Sequence, residues 1–109
     1  MAYDEGLAER VRAMMRQHPG YEEKKMFGGI GILMQGNMAC GVHGTDLIIR
    51  VGPERYKESL AANHTKEFDL TGRPMTGWIV VLPEGYTSDD SLETWVNRGV
   101  EYALSLPPK

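Results

Sequence analysis

The run KKMFGGIGILMQGN, Lys24 to Asn37, sets two lysines beside a cluster of glycines. Such a cluster can cradle a phosphate on its backbone amides, with a lysine to pair the charge. The details fail that chemistry. Gly29-Ile30-Gly31 opens like a dinucleotide fingerprint, but Met34 stands where the third glycine belongs. Gly31 and Gly36 have Walker A spacing, but Asn37 and Met38 follow where Lys and Ser or Thr are required. Without them nothing pairs the terminal phosphates or holds Mg²⁺. The glycines instead alternate with Ile30, Ile32 and Met34, the pattern of a strand in which small residues mark a bend or the close approach of a neighbour.

Cys40 and His43 have C-x-x-H spacing, but on a strand an offset of three puts them on opposite faces, and zinc wants about four ligands. The residues therefore predict no metal and no cofactor. As a nucleophile, Cys40 would need a nearby base or cation, which Lys24, Lys25 or His43 would have to supply. Between Ala39 and Gly41 it reads better as a small buried side chain. Asp89, Asp90 and Glu93 suit a helix start, and no Ser-His-Asp order or G-x-S-x-G elbow is present. Arg50, Arg55 and Arg73 are the candidates for converging on an anion, with Gly52-Pro53 opening a helix beside them. The loop TGRPMTGW combines Arg73, Pro74, Met75 and Trp78, residue types enriched at protein contact surfaces.

These residues need elements to position them. YDEGLAERVRAMMRQHPG predicts a helix capped by Asp4, with Tyr3, Leu7, Val11, Met14, Met15 and His18 on one face and Pro19-Gly20 as its stop. Glu22 to Lys25 reads as a solvated charged turn. MFGGIGILM, MACGV and LIIRV predict three strands joined by tight turns at Gly36-Asn37 and Gly44-Thr45-Asp46. GPERYKESLAAN predicts a short, partly buried helix starting at Pro53, KEFDL a short edge strand, and WIVVLP a strong strand. SDDSLETWVNRGVEYALSLPP predicts the longest helix. Ser88, Asp89 and Asp90 are its cap candidates, Leu92, Trp95, Val96, Gly99, Val100, Ala103 and Leu106 its apolar face, and Pro107-Pro108 its end.

The order α-β-β-β-α-β-β-α implies one α+β domain over residues 1–109, a mainly antiparallel five-stranded sheet with helices on one face. Both faces of LIIRV and WIVVL carry apolar groups, so the second face needs cover from loops or from a partner. The chain has 109 residues and a net charge of −3, which argues against non-specific nucleic-acid binding through Lys24, Lys25 and Arg50. One cysteine excludes an internal disulfide. No signal peptide or membrane-length apolar run is visible, so the expected location is the cytoplasm.

Four blocks in order, KKMFGGIGILMQGNMACGV, LIIRVGPERY, FDLTGRPMTGWIVV and LETWVNRGVEYALSLPPK, resemble the N-terminal domain of the TfoX/Sxy family over essentially the whole chain. The resemblance implies an α+β sandwich of the secretion-chaperone-like type. It also implies kinship with regulators of natural competence that assist transcription with the cAMP receptor protein. Full regulators carry a C-terminal helical domain. This sequence ends at Lys109, so a stand-alone module is expected. No catalytic residues carry over. The motif positions are Lys25, Met26, Phe27, Gly28, Gly29, Arg50, Gly52, Gly72, Arg73, Pro74, Met75, Gly77 and Trp78. The leading expectation is a non-enzymatic regulatory module that binds a protein partner or a second copy of itself through the apolar sheet face and the Gly72–Trp78 loop. The alternative is a small ligand-binding protein or enzyme using Cys40 or an arginine-lined pocket.

Overall fold

The computed structural model describes residues 3–26, 28–69 and 72–108. The first helix, α1, runs Glu5–Met15 and starts where expected, with the Asp4 carboxylate accepting from the Leu7 amide. It buries Leu7, Ala8, Val11 and Met15. The last, α3, spans Asp89–Ser105. Ser88 is its cap, accepting from the Ser91 amide, and Leu92, Trp95, Val96, Gly99, Val100 and Ala103 are buried. Between them lie α2 (Tyr56–Leu60) and six strands: β1 (Tyr21–Met26), β2 (Gly29–Met34), β3 (Asn37–His43), β4 (Asp46–Arg50), β5 (Thr65–Glu67) and β6 (Trp78–Val81). They form one antiparallel sheet in the order β1-β2-β3-β4-β6-β5.

The sixth strand is a correction. The expected charged turn at Glu22–Lys25 is β1, an edge strand paired with β2 from Tyr21↔Met34 to Met26↔Gly29. Its four charged residues are exposed, so it has no apolar alternation to betray it. Charge suits an edge, because a bare edge invites another chain. Two-fold antiparallel pairing of two β1 strands keeps the helix-bearing faces on one side, which seats one residue against its own copy on the axis. For any axis between Glu22 and Lys25 that is a like-charge pair. Glu23 is also held by its own chain: Arg12 donates to both its oxygens, at 2.9 and 2.6 Å, which pulls the Glu23 carboxyl below the usual carboxylate range. This fork ties α1 to the sheet edge.

The helix side of the sheet is the main core. Ile30, Ile32, Met34, Cys40, Val42, Leu47, Ile49, Ile79 and Val81 meet α1 and α3 there. A bulge at Ile32/Leu33 turns both Ala39 and Cys40 into this core. Gly99 lies directly above Ala39, where a side chain would strike the Ala39 carbonyl.

The second face is covered by the chain itself, and not by helices. At one end Ile48, Val80 and Phe68 are buried together, with Trp78 and Leu82 packed against them. At the other, methionines fold over glycines. A Cβ on Gly31 would sit 2.7 Å from the Met26 sulfur, and one on Gly41 3.0 Å from the Met38 methyl. That is the role of the glycine run: it makes room for side chains that close the face. Among the described residues only Met75 (36%) and Leu104 (43%) are large apolar side chains left exposed. Of the two covers expected for this face, loops or a partner, the chain's own side chains supply the first.

α2 also differs from expectation. It is a single turn that begins three residues after Pro53, and Tyr56 and Leu60 are partly buried against the core. No helix among the described residues is long and apolar enough to cross a membrane.

Candidate functional site: an arginine clamped at the end of β4

The register of β4 against β6 sets Arg50 opposite Trp78. Beyond them the chain is drawn tight: the amides of Val51 and Gly52 both donate to the Gly77 carbonyl, at 2.8 and 3.0 Å. Two conformational demands follow. Gly52 has φ 87° and Gly77 φ 93°, a region side chains rarely enter. The Tyr102 ring from α3 lies so close to Gly52 that a Cβ there would run into it. Tyr102 thereby reaches Arg50. The Arg50 Cζ is 5.2 Å from the Trp78 ring centroid and 5.3 Å from the Tyr102 centroid. Both distances lie within cation–π reach, so two rings hold one guanidinium.

The charge of Arg50 is unanswered. Arg10, Arg12, Arg16, Arg55 and Arg98 each pair with an acid. Among the described residues no carboxylate comes within 4.0 Å of Arg50 or Arg73. Arg73 is exposed on its loop, whereas Arg50 is half-buried.

The loop that supplies Trp78 is itself ordered by hydrogen bonds. The Gly72 amide donates to Asp69 O, Met75 N to Phe68 O, and Trp78 N to Met75 O. Phe68 folds beneath it, 6.1 Å from Trp78 between ring centroids. Arg73, Pro74 and Met75 stand exposed on this frame, beside the clamp.

On the helix side of Gly52 a groove of about 510 Å³ opens between Pro53 and Tyr102. Arg55 and Arg98 line it, so an arginine-lined pocket exists. Both arginines are answered: Arg55 by Glu101 at 3.4 Å, and Arg98 by Glu58 at 3.7 Å and the buried Ser59 hydroxyl at 3.0 Å. The three candidates for a shared anion site, Arg50, Arg55 and Arg73, do not converge. Arg55 belongs to the groove, Arg50 to the clamp, and Arg73 to the loop. The one-turn α2 adds no anion site of its own.

The other motif group lies elsewhere. Lys25 is exposed, Met26 covers Gly31, Gly28 turns the chain at φ 75°, and Gly29 is buried against the Val42 carbonyl. Phe27 lies outside the described residues. These surround the β1–β2 turn near His43, at the opposite end of β4 from Arg50. They shape the sheet and do not join the clamp. Lys24 and Lys25 point to opposite faces of β1, since they pair with Gly31 and Ile30. With Arg50 they make no common basic face.

Cys40 is fully buried, its sulfur 3.4 Å from the Met15 sulfur. Burial pushes its thiol up to about 12. A nucleophile needs the opposite shift. Native protein at neutral pH should therefore react with a thiol reagent far more slowly than the same chain in urea; equal rates would restore Cys40 as a candidate. The linkage has a definite sign. From the ordinary value near 9 up to about 12, the unfolded chain holds fewer protons at this site than the folded one. Cys40 thus supports the fold fully below pH 9 and less as pH rises through that window. Burial also raises Tyr21, Tyr56 and Tyr86, so the urea midpoint of the native chain should fall there by more than that of Cys40→Ala, which shares those tyrosines.

Tyr102 was missed as a site residue. Its place on α3, one turn after the buried Gly99 and beside exposed Glu101, marks it only as a helix-edge aromatic, and nothing local links it to Arg50. Among known protein families, the model described as the TfoX N-terminal domain matches residues 13–103, most of the chain. A comparison with curated proteins returns no match.

Proposed function

The chain belongs to the TfoX N-terminal domain family, and from that premise we propose that it is a non-enzymatic regulatory module of the cytoplasm that docks a protein through the Gly72–Trp78 loop. The observation that carries this reading is Met75. It is one of two exposed large apolar side chains among the described residues, and it stands on a hydrogen-bonded loop beside Trp78 and Arg50. Ordering such a loop before binding lowers the entropy lost on docking. Arginine, methionine and tryptophan are also the residue types that interface cores favour. The buried, high-pKa thiol and the answered groove arginines give catalysis no foothold in the groups first suspected of it.

The test is site-specific photo-cross-linking in cells of the native host. A photoreactive residue at Met75 should yield one discrete adduct, and the same residue at exposed Glu93 on α3 should not. An adduct containing only this chain identifies a second copy as the partner. No adduct, or the same adducts from both positions, would falsify the proposal.

A further inference from the structure

The clamp at Arg50 has a chemical consequence for what the loop meets, and it rests on the docking reading above. Two rings lie against the guanidinium, Trp78 at 5.2 Å and Tyr102 at 5.3 Å from its Cζ. The N–H edge of an arginine is the side that matches a carboxylate with two parallel hydrogen bonds. No acid of the described residues takes it, although five other arginines in the chain have one. The guanidinium is also held in place before anything arrives. Gly52 and Gly77 let the rings and backbone close to this spacing, and the doubled hydrogen bond to Gly77 O fixes the strand ends that carry Arg50 and Trp78.

We infer that Arg50 is a preset receptor for an acidic side chain, Asp or Glu, on the protein that docks against Met75. Charge and apolar contact sit side by side: the partner segment presents a carboxylate to the Arg50 edge and an apolar neighbour to Met75. Lys would not serve in place of Arg50, because an ammonium offers neither the flat faces nor the fork.

The experiment follows the arginine Nε–Hε signals of the ¹⁵N-labelled full chain during titration with glutarate, at constant ionic strength set by chloride. Arg50 should shift saturably, with a dissociation constant of about 10–100 mM, as a single charge-assisted contact supplies little affinity. Arg73 should drift weakly and without saturation. Tyr102→Leu should weaken binding at Arg50 about threefold by removing one of the two rings that hold it. Identical unsaturated drifts at Arg50 and Arg73 mean screening only and overturn the inference. So does saturation by inorganic phosphate where glutarate gives none. In the cross-linking assay, Arg50→Gln and Arg50→Lys should each cut the adduct from position 75 by about tenfold. An undiminished adduct overturns this inference and leaves the docking reading standing. Absence of any adduct sinks the docking reading, and is told apart because the titration needs no partner.

Discussion

Gly99→Val should destabilise the protein by about 3 kcal/mol or more, an overpacking cost at the upper end of the usual range. In a domain this size that lowers Tm by roughly 15 °C. The reason is the closeness of α3 to β3. Glycine in a helix interior ordinarily costs about 1 kcal/mol relative to alanine. Here that cost is offset by contact: a Cβ at position 99 would strike the Ala39 carbonyl and come within 3.5 Å of Ile49 Cγ2. The obstacle is backbone, pinned in the sheet by the Ile32↔Cys40 and Cys40↔Ile49 pairings, so it cannot swing aside like a flexible side chain. The helix must lift, opening the core around Val96, Val100 and Ala103. Gly99→Ala decides between the two effects. Helix propensity alone predicts a gain of about 1 kcal/mol; contact predicts a net loss. Asn97→Ala, on the exposed face, should stay within about 0.5 kcal/mol of the native chain. Urea denaturation of the three variants measures this, and a stabilised Gly99→Ala would mean that α3 does not rest on Ala39.

Gly52→Ala carries the second large effect, and it reaches the site. At φ 87° an alanine pays roughly 1–2 kcal/mol of backbone strain. Its methyl would also enter the Tyr102 ring, which must then leave Arg50. The sum should be a loss of about 2–3 kcal/mol in stability. It should be accompanied by broadening of the Arg50 Nε–Hε signal as one wall of the clamp moves. A double-mutant cycle separates the contributions. Tyr102→Ala should cost less in the Gly52→Ala background than in the native one, by about 1 kcal/mol, since the ring has already lost its seat. Strict additivity would show that Tyr102 does not rest on Gly52.

Both predictions turn on glycines, and glycines mark where sequence reasoning stopped. Gly29 and Gly31 were legible as strand positions from their alternation with Ile30, Ile32 and Met34, and Gly41 from the strand MACGV. What fills the space above Gly31 and Gly41 was not: Met26 and Met38 come from pairings of separate strands. The charged strand β1 was hidden for a related reason. An edge strand whose four central residues are charged and exposed carries no period-2 apolar signal, and only its partner β2 shows that Glu22–Lys25 is extended. In the candidate site, Arg50, Arg73, Pro74, Met75 and Trp78 were singled out by residue type. Their division into a clamp and a loop, with Arg55 bound elsewhere, came from contacts across the fold.

The amino-acid order alone determined what depends on neighbours along the chain. Asp4 and Ser88 start helices because their side chains reach amides three residues on. Leu92 to Ala103 bury one face because they recur at helical spacing. Ile30, Ile32 and Met34 turn inward because strands alternate, and the lack of a complete phosphate loop was plain from Met34, Asn37 and Met38. Only the folded chain decided which distant groups meet. Tyr102 on α3 reaches Arg50 on β4 because Gly52 leaves room for it, and the Cys40 thiol is silenced because its register opposite Ile32 and Ile49 turns it into the core beside Met15. Local periodicity is written in consecutive residues; a cation held between two rings is written in the packing of strands against a helix.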